Sequence, residues 1–437
     1  MPNGTPSSFS FPRSARRFVD VSFTGGDITS DGGGALLLRQ AERRTGIVRR
    51  FARRIGDPRR RKSVVHSLES MLCQRVFGLA MGWEDLNDHA QLRHDPAVQT
   101  AVGRDVELAS PSTLSRLENR ARQEHVDDFH EVLVEHFIRS QAATPTELIL
   151  DFDATDDPTH GRQEGHFFHG YYKHHCFLPL YVFCGDFPLF ALLRQSNIDG
   201  ALGTLQVLQW LVPKLREAWP EVRIVLRGDS GFCRDQVVTW CEEEGVGYIL
   251  GVARNSRLQE YARPLLMEAK KNARETGRAA RVFGEVQYAA KSWTRERRVV
   301  IKAEVLPGKE NPRFVVTSED GDAKELYEVR YCARGEMENR IKEQQLGLFA
   351  DRTSCHRWWP NQFRLMLSTL AYCLIETIRR VGLEGTSMAR AYATTIRLKL
   401  LKIGAVIVRN TRRVRFLMSS SFPNKELFWL VARKLAG

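Results

Sequence analysis

Three carboxylates stand where a metal-dependent nuclease would place them. Asp153 closes an apolar run in LILDFDATDD, Asp229 follows another in VLRGDSGF, and Glu338 lies in the polar segment YCARGEMENRIKE. Oxygen ligands of this kind suit hard divalent cations, which take a few protein carboxylates and leave positions for water and phosphate. Two such ions about 3.5–4 Å apart activate an attacking oxygen and stabilise the leaving one in an in-line displacement at phosphorus. The first ligand has rivals in Asp151, Asp156 and Asp157. Side chains alternate across a strand, so Asp151 and Asp153 share a face, and Asp153 is preferred because it lies nearer the strand's end. Taken singly, an aspartate at a strand end is more often a turn former or a helix cap.

Around Glu338 the spacing says more. Tyr331, Arg334, Glu338, Lys342 and Gln345 recur at helical intervals and form one polar stripe. The bland reading is a solvated face laced by Arg334–Glu338 and Glu338–Lys342 ion pairs. In the functional reading Glu338 reaches a metal while Tyr331, Arg334 and Lys342 hold DNA to either side.

The elements needed to position these groups can be read from periodicity. Residues 1–30 are rich in Ser, Pro and Gly and are expected to be poorly ordered. Residues 31–146 read as helices, with a dense basic run from Arg43 to Lys62 and, after the cap Ser110-Pro111, a helix carrying Arg116 and Arg120. Helices with a basic face suit a DNA groove, and Arg116 and Arg120 are candidate DNA contacts. From 147 to 254 three adjacent strands (148–153, 175–183, 188–193) give way to strands alternating with helices, which makes a mixed sheet with flanking helices. Residues 255–322 break that alternation and read as a β-rich insertion. Residues 323–380 return to long helices and complete the catalytic core, and 381–437 form a basic C-terminal region.

Composition agrees with a polyanionic partner. The 437 residues carry 65 Lys+Arg against 52 Asp+Glu, a formal charge of +13, and such a surplus favours phosphate backbones through counterion release. Eight scattered cysteines form no C-x-x-C pair, which argues against a zinc ribbon or disulfide framework and fits a reducing cytoplasm. The N-terminal residues are not those of a signal peptide, and no apolar run is long enough for a membrane span. His160, His166, His169, His174, His175 and Cys176 crowd one stretch without standard zinc spacing, and read as a loop beside the active site whose imidazoles approach DNA.

Together these residues amount to a family resemblance. Asp153, then Gly-Asp229-Ser-Gly-Phe, then Tyr331-x-x-Arg334-x-x-x-Glu338 resembles the DDE transposases of bacterial insertion sequences. The words DATDDPTHG, QEGHFFHGYY, SNIDGA and RGEMENRIKE, with HSLESMLCQRVFGLAMGWEDLNDHAQLRHDP and WWPNQFRLMLSTLAY, are similar to the thirteen-eighty family of insertion sequences. The resemblance implies a ribonuclease-H-like catalytic core, a β-rich insertion between the second Asp and the Glu, and two Mg²⁺ or Mn²⁺ ions on Asp153, Asp229 and Glu338. It also implies double-stranded DNA partners, namely the element's terminal inverted repeats and target DNA, engaged by a dimer or larger multimer in the bacterial cytoplasm. By the same resemblance an insertion aromatic, Trp293, stacks on a base beside the cleavage point, with Arg297 and Arg298 as neighbouring DNA contacts. The related signature continues with a lysine where this chain has Gln345. A nuclease of the same fold without strand transfer, and an inactive DNA-binding repressor, are the competing functions.

Overall fold

The computed structural model describes residues 8–22 and 29–437. Its strands are β1 (Ser8–Ser14), β2 (Arg17–Ser22), β3 (Glu147–Ala154), β4 (Asp157–Pro158), β5 (Phe167–His169), β6 (His174–Phe177), β7 (Leu180–Cys184), β8 (Phe187–Leu192), β9 (Arg223–Gly228), β10 (Gly247–Val252), β11 (Ala280–Tyr288), β12 (Arg297–Leu306), β13 (Lys309–Glu310), β14 (Arg313–Thr317), β15 (Ala405–Arg409) and β16 (Arg413–Met418). The helices needed below are α1 (Ala35–Thr45), α2 (Ile47–Ile55), α3 (Leu68–Met81), α4 (His89–Leu92), α5 (Pro96–Val102), α6 (Pro111–Glu118), α7 (Gln123–Ser140), α8 (Thr204–Ala218) and α9 (Asp235–Glu243).

A nine-stranded sheet runs β11-β12-β14-β10-β9-β3-β7-β8, with β13 pairing β12. Strands β3, β7 and β8 are antiparallel neighbours, whereas β9 and β10 join β3 in parallel, with α8 and α9 as the connecting helices. Three antiparallel strands followed by two parallel ones around a central first strand is the ribonuclease-H-like arrangement. Alternation along β3 sorts its side chains. Leu148, Leu150 and Phe152 pack into the core shared with Leu208, Leu211 and Val238 of α8 and α9. The opposite face carries Asp151 and Asp153. On that side Val225 and Ile249 of the sheet pack against Leu326 and Tyr327 of the helix that leads to Glu338.

The segment 255–322, read as a β-rich insertion in the sheet domain, joins the large sheet: β12 and β14 pair with each other and β14 with β10, so its strands extend that sheet. Residues 8–22 are not poorly ordered: β1 and β2 bury Phe11, Val19 and Val21, and β2 pairs in parallel with β16 to make a four-stranded sheet with β15. Residues 1–7 and 23–28, the rest of the expected leader, lie outside the described residues.

Nor is the helical region independent of the core. The helix Trp358–Thr377, expected as part of the catalytic half, packs on α3 and shares one apolar cluster with α1, α2 and α7. Glu118 of α6 stands buried between Arg75 of α3 (2.9 Å) and Arg364 of that helix (3.0 Å), so the junction is pinned by a charged triad. Much of the basic run is also committed internally. Arg50 and Arg54 of α2 pair with Glu135 of α7, and Arg59 with Asp57. No helix among the described residues is long and apolar enough to cross a membrane.

Candidate active site

Register brings the first two carboxylates together. In the parallel pairing of β3 with β9, Asp151 stands opposite Arg227 and Phe152 opposite Gly228. Asp153 is the next residue of β3 and Asp229 the first residue beyond β9, and neighbouring strands lie about 4.8 Å apart. The sequence GDSGF serves this position locally. Asp229 Oδ1 accepts a hydrogen bond from the Gly231 amide (2.7 Å), a tight turn that stops the strand. Gly251 of β10 is required beside it. A Cβ there would lie 2.7 Å from Tyr331 Oη, 2.9 Å from the Ser230 amide nitrogen and 3.2 Å from the Asp229 carbonyl carbon. The strand spacing therefore leaves no room for a side chain between Asp229 and Tyr331.

Asp151 is excluded as a ligand. Both its oxygens are taken by Arg227, at 2.5 and 2.7 Å, and the same guanidinium donates to the Arg330 carbonyl (2.5 Å). This buried pair clamps β3, β9 and the Glu338 helix, which is a structural role. Asp157 is buried and turned away in β4, and Asp156 accepts from His174 Nε2 (2.8 Å).

The helix spanning 323–347 starts on Asp322, whose side chain accepts from the Lys324 and Glu325 amides. It is not uniformly α-helical. It widens to π turns over Leu326–Tyr331 and Glu343–Gly347 and tightens to a 3-10 turn over Cys332–Arg334. The stripe is therefore kept only where the helix is regular. Arg334 meets Glu338 one turn on (2.5 Å) and reaches Asp153 at 3.6 Å, so it bridges the first and third carboxylates. No Glu338–Lys342 pair forms among the described residues, and Lys342 is exposed. Gln345, in the second π turn, donates to the Asp156 carbonyl (3.0 Å) instead of facing outward to a phosphate.

The other two acids act on Asp153 through their charge. Burial pushes the Asp153 carboxyl up to about 7; Arg334 pulls it down, and the Asp229 and Glu338 carboxylates push it further up. Burial also raises the Tyr331 hydroxyl. Among the described residues, no three Asp, Glu, His or Cys side chains are already gathered around one point. Asp229 is turned to Gly231 and Glu338 to Arg334. The donor set nonetheless fits a hard divalent cation. It is all carboxylate, and the destabilised charge on Asp153 is the kind a cation relieves.

The outlying candidates separate. Arg297 is 3% exposed and bound to Asp235 and Glu242 at 2.7 and 2.8 Å, so its guanidinium is already engaged within the protein. Arg298 is likewise spent, on Glu285 (2.5 Å) and on the Glu319 and Gly321 carbonyls. Trp293 is half-buried, with Tyr288 edge-on and the Arg297 guanidinium over its ring at 5.4 Å, which is packing and not a free stacking face. Arg116 is exposed and donates only to Thr113, while Arg120 stands 3.9 Å from Asp57. Sequence reasoning missed Gly251 and Tyr172. The hydroxyl of Tyr172 donates to the Ala154 carbonyl (3.4 Å), and the Asp156, Asp153 and Asp229 charges add to the burial that raises it.

The profile of the family described as Transposase DDE domain group 1 matches residues 11–437. The chain belongs to that family. It is a DNA transposase, a metal-dependent enzyme that cleaves DNA and transfers strands, and its DNA-cleaving chemistry depends on divalent metal ions. No curated protein matches this transposase. Among solved structures, a cryo-EM structure of a piggyBac transposase synaptic complex with hairpin DNA is 12% identical, overlaps 86% of this chain and 80% of its own, and has a TM-score of 0.43.

Proposed function

We propose that the transposase cleaves the ends of an insertion sequence of the thirteen-eighty type and joins them to target DNA, with Asp153, Asp229 and Glu338 holding two Mg²⁺ or Mn²⁺ ions. The observation that supports this reading is the β3–β9 register, which ends with Phe152 opposite Gly228 just before Asp153 and Asp229, together with Arg334 bridging Asp153 and Glu338. When bound, the ions activate the attacking water or 3′-hydroxyl and stabilise the leaving oxygen. The chain's own groups set the geometry. Strand ends fix two ligands, the helix presents the third, and the Asp151–Arg227 clamp holds helix to sheet. Arg334 neutralises the carboxylates and, with DNA present, offers its fork to a phosphate oxygen. Tyr331 borders Asp229, and exposed Lys342 and Arg116, with Arg120, meet DNA further out. Terminal inverted repeats and target DNA are the partners, and cutting both ends together calls for a dimer or larger assembly on DNA.

The test is incubation of the full chain with labelled element ends, target DNA and Mn²⁺, followed by separation of cleaved and joined products. Wild type yields both, and Asp229→Ala yields neither. Cleavage without joining would reduce the enzyme to a nuclease. Undiminished cleavage by Asp229→Ala would refute the assignment.

A further inference from the structure

Between β3 and β7 the chain leaves the large sheet and folds a ribbon of its own, β4-β6-β5, from Asp157 to Phe177. Its base is bolted down. The Glu164 amide donates to the His356 carbonyl (2.8 Å), and the Glu164 side chain accepts from the Trp358 amide (3.0 Å). Ser196 Oγ donates to the Phe167 carbonyl (2.8 Å), and Gly165, at φ +81°, lets the Trp358 ring approach so closely that a Cβ would meet it at 2.6 Å.

The outer part is the reverse. Tyr171 is 83%, Phe168 58% and Phe167 39% exposed. Large rings left in water on a rigid support are a cost that a purely structural ribbon would not carry, and they mark a contact surface. The turn is fixed by Lys173, a non-glycine residue at φ +61°, whose amide donates to the His169 carbonyl (2.7 Å). Lys173 and His175 are exposed beside the rings. Tyr172, adjoining Tyr171 edge-on at 5.1 Å, reaches the carbonyl of Ala154, the residue after Asp153, so the tip overhangs the carboxylates.

We propose that this ribbon is an aromatic prong that stacks on unpaired DNA bases at the cleavage junction through Tyr171 and Phe168, with Lys173 meeting the adjoining phosphate. The inference rests on the proposed active site. Every base offers a π face, so such stacking is tolerant of sequence, and it holds open a junction that would otherwise re-pair over the carboxylates. A rigid base and rings that need no ordering keep the entropic cost of binding low.

The experiment compares the full chain with a Tyr171→Ala/Phe168→Ala double variant and with single Tyr171→Ala and Tyr171→Phe variants. Each is given a fully paired element end and the same end carrying two unpaired bases at the junction. The expected result is a loss in cleavage rate on the order of 10- to 100-fold for the double variant on paired DNA, with most of it regained on the unpaired end. The single alanine variant, at a site too exposed to carry the fold, should show the same pattern more weakly, and Tyr171→Phe should recover the rate by keeping the ring. Cleavage of paired DNA within threefold of wild type, or an equal loss on both ends, would overturn the proposal. Asp229→Ala separates the two failures. If it is inactive while the ring variants behave as wild type, the prong is wrong and the active site stands; if it is active, the site itself is wrong.

Discussion

Gly251→Ala adds one methyl group at the tightest point of the site. Its Cβ would sit 2.9 Å from the Ser230 amide nitrogen and 2.7 Å from Tyr331 Oη, with the Asp229 carbonyl carbon at 3.2 Å. Ordinary contact is about 3.5 Å or more, so the overlap is roughly half an ångström and falls partly on backbone, which cannot swing aside. Overpacking of this size costs about 1–3 kcal/mol, read as a Tm lowered by a few degrees. The functional effect should exceed the stability effect. The atoms that must move carry Asp229, and misplacing a reacting group by ~1 Å can cost ~100-fold. A shift of a few tenths of an ångström therefore predicts a cleavage rate down on the order of tenfold, measured on labelled element ends at saturating Mn²⁺ well below the Tm. A variant with lowered Tm but a rate within twofold of wild type would refute the idea that the Asp229–Gly251–Tyr331 contact sets the ligand geometry.

Asp151→Asn should destabilise the fold by about 3–5 kcal/mol in urea unfolding, because it strands the buried Arg227, whereas Asp153→Asn should keep the fold and lose cleavage. The folded chain retains the Asp153 proton up to about pH 7, and an unfolded chain releases it near ~4. The folded form thus binds more protons between those values. In metal-free protein this group's contribution to stability should rise as pH falls through 7 and level off below ~4. Mn²⁺ binding, which needs the carboxylate, should weaken over the same descent, and Arg334→Ala should move the metal-free midpoint upward. Arg116→Ala should lower DNA affinity and reduce the salt slope by about one. Arg297→Ala should instead lower the Tm and leave the slope unchanged, and the opposite pairing of results would reverse the DNA-contact assignments.

The acidic frame was legible because it depends on local facts. Apolar runs that end in Asp153 and Asp229, followed by a polar helix with Glu338, survive any detail of packing. Strand alternation also separated Phe152 from its two flanking aspartates correctly. Choosing between those aspartates needed a partner 76 positions away, Arg227. The same blindness hid the partners of Arg297, whose acids Asp235 and Glu242 lie 62 and 55 positions off. A cationic side chain looks free in sequence until the fold supplies its counterion. The strands at 8–22 had a readable signal, Phe9/Phe11 and Val19/Val21 at period two, but Ser and Pro composition outweighed it. The π turns had none, since a stripe drawn at 3.6 residues per turn assumes the regularity that they remove. Gln345 therefore ended on the Asp156 carbonyl.

The parallel pairing of β2 with β16 joins residues 17–22 to residues 413–418. A chain growing from its amino end can pair β2 with β1 at once, but the other edge of β2 stays open until nearly four hundred further residues have been made. The helices α1 to α3 share their apolar cluster with Phe416, Met418 and the helix Lys425–Ala436, so they too stay incompletely covered until synthesis reaches that far. The helical body and the catalytic sheet thus mature on different schedules. Residues 147–317 can close their strands while the first helices still wait. A nascent transposase truncated before β15 would carry all three carboxylates and yet lack a finished platform for the Trp358–Thr377 helix, whose Thr369 hydroxyl accepts from Gln344 of the Glu338 helix (2.7 Å).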